Sequence, residues 1–97
     1  MTEHHIDKTA LDALVEALLL LDGEAECRAF LSDLCTPREL DDLSQRLQVA
    51  AFLKEGRNYQ DISKITGAST ATISRVKQAL VRGSGGYETI LERQRCQ

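Results

Sequence analysis

The segment from residue 59 to residue 82 constrains the fold of this chain more than any other part. Its first two isoleucines, Ile62 and Ile65, are three positions apart, so a helix over 59–65 would place both on one face. Gly67 follows them, and glycine reaches positive φ at little steric cost, which makes it a common end to a helix. The segment therefore predicts a short helix that ends in a sharp turn at Gly67.

A second helix is predicted over 69–82, directly after this turn. A hydroxyl at its start, from Ser69 or Thr70, can cap the helix by accepting a hydrogen bond from a free backbone N–H. Ile73, Val76 and Leu80 recur at spacings of three and four, which gives an apolar stripe for packing on the first helix. The opposite face carries hydroxyls and long hydrogen-bond donors with no acid among them: Thr70, Thr72, Ser74, Arg75, Lys77 and Gln78.

Two helices joined in this way form a helix-turn-helix, and the acid-free face suits the major groove of double-stranded DNA. Hydroxyls and amides meet base edges there, and cations meet phosphates. The predicted base contacts come from Thr70, Ala71, Thr72 and Ser74, the predicted phosphate contacts from Lys64, Arg75 and Lys77, and Ser69 and Gln78 complete the predicted DNA surface. Two alternatives stay open: an ordinary pair of packed helices with a solvated polar face, and a protein–protein interaction module that uses the helix-turn-helix as a scaffold.

The rest of the chain is also predicted to be helical. Apolar periodicity indicates helices over 9–21, 24–34, 37–55 and 87–95, and a glycine-rich break lies at 83–86. The clearest start signal is at Thr36, where a capping threonine is followed by Pro37 and, three residues on, by Glu39, as in a capping box. At 97 residues we expect one all-α domain, with a loose N-terminus over 1–8, dimerisation helices over 9–56, the helix-turn-helix over 59–82 and a C-terminal helix over 87–95.

The end of the first predicted helix is apolar nearly all round, because four leucines follow one another at 18–21. A helix of this kind requires burial on more than one side. Either a partner subunit covers it or it is a central core helix, and the sequence leaves both interpretations open. The run is too short to cross a bilayer, so no membrane partner is expected.

The charge is unevenly distributed along the chain. Residues 1–53 contain eleven acids and four Lys or Arg residues, whereas residues 54–97 contain four acids and eight. The C-terminal half is therefore basic, although the overall net charge is −3. A basic face on an acidic protein predicts DNA binding of modest and strongly salt-dependent affinity.

No catalytic, metal or cofactor site is predicted. The three cysteines, Cys27, Cys35 and Cys96, contain no C-x-x-C pair, which favours reduced thiols and a cytoplasmic location. Cys27 and Cys35 lie among apolar residues and are expected to be buried. His4 and His5 have no other metal-ligating side chains at suitable spacing, and no nucleophile or phosphate-loop motif is present, so the chain is not expected to be an enzyme.

The strings C-T-P-R-E-L-D-D-L-S-Q-R-L-Q-V-A-A-F-L-K-E-G and T-G-A-S-T-A-T-I-S-R resemble the Trp repressor superfamily, and more closely its YerC/YecD branch. The likeness covers about residues 34–92. It implies an all-α fold of six helices and an intertwined homodimer. Two copies of the helix over 69–82 would lie about one turn of DNA apart and would recognise a near-palindromic operator as a transcriptional regulator.

The resemblance also implies a candidate ligand site. In the Trp repressor, tryptophan binds between the third helix and the recognition helix, and the family's four ligand positions correspond here to Thr36, Arg46, Thr72 and Arg75. The glycine on which the indole lies is Val76 in this chain, and a serine three positions further on is Ala79. Extra methyl groups reject a closely fitting ligand, so we predict regulation without tryptophan. An amino-acid-responsive repressor is the alternative, and the sequence does not identify an effector.

Overall fold

The computed structural model describes residues 7–97, which form six α-helices and no strand. The helices are α1 (Lys8–Leu19), α2 (Gly23–Leu34), α3 (Pro37–Lys54), α4 (Tyr59–Thr66), α5 (Thr70–Arg82) and α6 (Gly86–Arg95). The predicted all-α class and the six helices are confirmed, with boundaries that differ by one or two residues. None of these helices is both long enough and apolar enough to span a membrane.

The chain divides into two compact units, Met1–Thr36 and Pro37–Gln97. In the first unit, the carboxylate of Asp7 caps α1 by accepting hydrogen bonds from the N–H groups of Thr9 and Ala10 at 2.9 and 3.3 Å. The expectation of a loose end over 1–8 is therefore wrong for Asp7 and Lys8. Residues 1–6, which include His4 and His5, lie outside the described part of the chain.

The two helices of the first unit do not pack against each other, and no residue of either is buried. The expectation that Cys27 and Cys35 are buried is wrong, because Cys27 is exposed and Cys35 is only partly covered. Large apolar side chains are exposed as well: Leu11, Val15, Leu18, Leu19, Leu20, Leu31 and Leu34. These apolar side chains of the first unit thus remain accessible in a single chain.

The second unit has the core of the described chain. Its fully or almost fully buried residues come from α3, α4, the turn and α5: Val49, Ala50, Ile62, Ala68, Ile73 and Val76. Phe52, Leu53, Tyr59, Tyr87 and Leu91 pack around them and are partly buried. Burying one such branched side chain contributes about 1.5–3 kcal/mol, so this cluster fixes α4 and α5 against α3.

The side of α4 that faces the core contains Ile62 and Thr66 rather than both isoleucines. Ile62 is fully buried, but Ile65 is 50% exposed, so only one of the two isoleucines lies in the core. Thr66 takes the inner position instead, because it lies four residues after Ile62 and about 100° further round the helix than Ile65. Its hydroxyl donates to the carbonyl of Ile62 at 2.7 Å and accepts from the N–H of Ala68 at 3.1 Å.

The last helix is joined to α5 by a short glycine-rich connection. Gly83 ends α5, and a β-carbon there would overlap the carbonyl oxygen of Ala79. After this break, Tyr87 and Leu91 of α6 pack against the core. Lys54 Nζ and Glu88 Oε1 form an ion pair between α3 and α6 at 2.9 Å.

Candidate nucleic-acid interface

The turn between α4 and α5 is held by side-chain caps and by one glycine. Asn58 begins α4, and its side-chain oxygen accepts from the N–H of Asp61 at 2.8 Å. Gly67 ends α4 with φ +78°, a conformation that a β-carbon disfavours. Ser69 rather than Thr70 caps α5, because the Ser69 hydroxyl accepts from the N–H of Thr72 at 3.1 Å. The expected helix-turn-helix is therefore present.

The outward side of α5 is a polar surface free of acids. Ile73 and Val76 of this helix are buried, whereas six of its predicted contact residues are exposed: Thr70, Ala71, Ser74, Arg75, Lys77 and Gln78. No Asp or Glu occurs anywhere in α5. This surface can donate hydrogen bonds and attract phosphates, and α5 itself contributes no charge that repels them.

Tyr59, the first residue of α4, lies at the centre of this surface. The ammonium group of Lys77 is 5.9 Å from the centre of its ring. One shallow groove of about 310 Å³ beside it is lined by Ser74, Lys77, Gln78, Val81 and Arg82, and a second of about 360 Å³ is lined by Gln60, Ser63, Lys64 and Thr70. The structure therefore brings Lys64 and Thr70 to the same tyrosine as Ser74, Lys77 and Gln78. We call the residues lining these two grooves, with Tyr59, the Tyr59 surface.

The sequence interpretation did not include Tyr59 or Arg82 in the candidate site. The position of Tyr59 at the start of α4 could have indicated a DNA contact, because the first helix of a helix-turn-helix crosses the DNA backbone. Arg82 lies about one turn of helix after Gln78 and could have been placed beside it from the helical period.

Thr72 and Arg75 lie on a different side of α5 from these residues. They line a cleft of about 230 Å³ together with Val76 and with three residues of α3, Asp42, Gln45 and Arg46. Thr72 is half-buried, and its hydroxyl accepts from the hydroxyl of Ser69 at 3.2 Å. The predicted base-reading residue Thr72 thus faces α3 rather than the Tyr59 surface.

The same cleft contains three of the four predicted ligand residues. Arg46, Thr72 and Arg75 all line it, whereas Thr36 ends the first unit, directly before α3. Val76 borders the cleft but is only 2% exposed and belongs to the buried core. Two methyl groups therefore occupy space between α3 and α5 that a glycine would leave empty.

Within residues 7–97, no three His, Cys, Asp or Glu side chains are grouped so that they could hold a metal ion.

Two helices with capped starts, joined by a tight turn at a glycine, define a helix-turn-helix protein, and the second helix has no acidic residue. A family model described as "Trp repressor protein" matches residues 9–95, and the chain belongs to that family. The family is one of regulators. The predicted resemblance to the Trp repressor superfamily and its YerC branch is confirmed.

Three relatives illustrate the similarity. YerC of Bacillus subtilis (strain 168), an uncharacterized protein, is 51% identical over 83 residues, which cover 86% of this chain and 80% of YerC. A crystal structure of a proposed Trp repressor from Staphylococcus aureus is 48% identical, with a TM-score of 0.86 over 94% of this chain and 91% of that one. A TrpR-like protein from Eubacterium eligens ATCC 27750 is 46% identical, with a TM-score of 0.85 over 90% of each chain.

Proposed function

We propose that this protein is a sequence-specific transcriptional regulator, not an enzyme, which binds double-stranded DNA by inserting α5 into the major groove. The observation that carries the proposal is the acid-free, exposed outer face of α5, with cations on and beside it. Membership of the Trp repressor family supports the same class of function.

The residues divide by chemistry on this surface. Thr70, Ser74 and Gln78 present short hydroxyls and an amide to base edges, and Ala71 presents a methyl group suited to the methyl of thymine. Lys64 and Lys77 meet the phosphates, and Arg82 and the hydroxyl of Tyr59 extend that contact. The other three predicted residues have different roles. Ser69 caps α5, and Thr72 and Arg75 line the cleft between α5 and α3.

We propose that the active form is an intertwined homodimer. In a single chain, α1 and α2 have no buried residue, and side chains such as Leu19 and Leu20 are about 80% exposed. Soluble monomers rarely leave so much contiguous apolar surface uncovered. A second copy offers the same surface in return, as a two-fold interface requires.

Tryptophan is not part of the proposed mechanism, because the buried side chain of Val76 occupies the corresponding space. An effector-responsive repressor is the second candidate, and the cleft that unites Arg46, Thr72 and Arg75 favours it. A ligand that binds only the folded protein raises its melting temperature, so a thermal shift with free amino acids distinguishes the two candidates.

The test of DNA binding is the salt dependence of affinity for a duplex of mixed sequence. Each phosphate contact contributes about −0.9 to the slope of log K against log salt, so Lys77→Ala in a dimer is expected to reduce the slope by about 1.8. Arg28→Ala is the matched control, because it also removes one cation per subunit but from the exposed side of α2, where Arg28 pairs with Glu24.

The two variants must differ for the proposal to stand. Equal slopes for Lys77→Ala and Arg28→Ala would place DNA on another surface. A folded parent protein that does not bind duplex DNA at low salt would favour the protein–protein interaction module instead.

A further inference from the structure

Gln45 of α3 forms a hydrogen bond with the end of α4, next to the turn of the helix-turn-helix. Its side-chain amide, Nε2, donates to the backbone carbonyl of Thr66 at 3.1 Å, and the contact is partly buried. Thr66 is the last residue of α4, where carbonyls lack a partner within the helix. Gln45 therefore supplies a donor to a backbone acceptor that the helix itself leaves unsatisfied.

Thr66 makes two further hydrogen bonds at the turn, since its hydroxyl donates to the carbonyl of Ile62 and accepts from the N–H of Ala68. The next N–H, that of Gly67, donates to the carbonyl of Ser63 at 2.8 Å. A hydrogen bond that fixes Thr66 thus fixes the backbone on both sides of the turn. Apolar contacts in the core pack α4 and α5 against α3, but such contacts are not directional. The hydrogen bond from Gln45 to Thr66 is directional, so it specifies one position of the turn relative to α3.

We propose that Gln45 is a positioning residue for DNA reading: it sets the angle of α5 relative to α3 and thereby determines sequence discrimination without touching DNA. The inference rests on the proposed DNA-binding function. Base readout requires side chains placed to within fractions of an ångström, whereas the attraction of cations to phosphates tolerates small rotations. Loss of the bond therefore reduces specific binding and leaves non-specific binding intact.

The experiment compares Gln45→Met, which keeps the approximate size and removes the donor, with Gln48→Met, an exposed glutamine of the same helix. Two affinities are measured for each variant, one for a duplex selected by the parent protein and one for its scrambled sequence. For Gln45→Met we expect the ratio of the two to fall roughly fivefold to tenfold, about the value of one hydrogen bond. Scrambled-sequence affinity should stay unchanged, and Gln48→Met should behave as the parent.

A rescue variant separates positioning from general packing. In Gln45→Lys the ammonium can donate to the Thr66 carbonyl, and Gln48→Lys corrects for the added charge. We expect Gln45→Lys to recover the discrimination that Gln45→Met loses. If Gln45→Met weakens both affinities equally, or if Gln45→Lys fails to rescue while remaining as stable as the parent, the positioning role is wrong.

Amide hydrogen exchange of the free protein gives a result independent of DNA. The N–H groups of Gly67 and Ala68 should exchange roughly fivefold faster in Gln45→Met than in Gln48→Met, because the bond that restrains Thr66 is gone. Unchanged exchange would overturn the inference even if the parent binds DNA. Faster exchange in a protein that selects no DNA sequence would support the restraint of the turn and would refute the proposed function instead.

Discussion

The end of α5 offers a sharp test of the backbone geometry that supports the candidate interface. The N–H of Gly83 donates to the carbonyl of Ala79 at 2.9 Å, and the chain then leaves the helix with φ −83° and ψ −156°. A β-carbon on Gly83 would overlap the Ala79 oxygen and lie 3.1 Å from its carbonyl carbon. In Gly83→Ala the backbone must therefore shift where the connection to α6 begins.

The expected cost follows from these contacts. Loss of the hydrogen bond to Ala79 costs about 1 kcal/mol, and the backbone strain needed to relieve the overlap costs about 1–3 kcal/mol. A total near 2.5 kcal/mol would lower the melting temperature by about 10–20 °C for a domain of this size. Thermal unfolding followed by circular dichroism measures this change, at one fixed protein concentration because dimers melt in a concentration-dependent way.

Gly86→Ala is the matched control for this substitution. Gly86 lies at the start of α6, its φ is not positive, and no atom lies within 4 Å of a β-carbon built there. Alanine favours the helix by up to about 1 kcal/mol over glycine, so Gly86→Ala should melt at or above the temperature of the parent. If Gly83→Ala melted at the same temperature as Gly86→Ala, the close approach to Ala79 would not exist in the protein.

Three further predictions concern the core, the subunit contact and the effector. Ile62→Ala should cost about 2–5 kcal/mol in denaturant unfolding, whereas Ile65→Ala should cost less than about 1 kcal/mol, because only the first side chain is fully buried; equal losses would contradict the orientation of α4. Leu18→Glu should shift the protein toward monomer in sedimentation, with Asp12→Ala as the control on the same helix, and an unchanged dimer would remove α1 from the subunit contact. Free tryptophan at millimolar concentration should not raise the melting temperature, and a clear rise would show that the side chain of Val76 does not close the site.

The sequence predicted the helices well because their ends are marked by local chemistry. Asn58 marks the start of α4, Gly67 its end and Ser69 the start of α5, and each acts on its own backbone neighbours. Local signals of this kind do not depend on the rest of the fold, so they can be read directly from the chain. The candidate contact residues of α5 were accessible to the same reasoning, since an acid-free face is visible in the sequence.

The errors concern the direction in which a face points. Helical spacing showed that Ile62 and Ile65 share a side, but packing against α3 and α5 decided that Ile62 and Thr66 face inward. Thr72, which the sequence placed with the DNA-contacting residues, lines a cleft that Arg46 of α3 also lines. The hydrogen bond from Gln45 to Thr66 joins residues 21 positions apart, and no local pattern predicts a contact of that kind.

The central claim, that a dimer reads DNA through α5, is tested most directly by selection from a pool of random duplexes with purified full-length protein, followed by sequencing. A dimer of this kind should enrich a near-palindrome whose half-sites lie about 10 base pairs apart, one turn of the double helix, and the motif should be the same with or without tryptophan. A folded protein that enriches no sequence at low salt would contradict the claim.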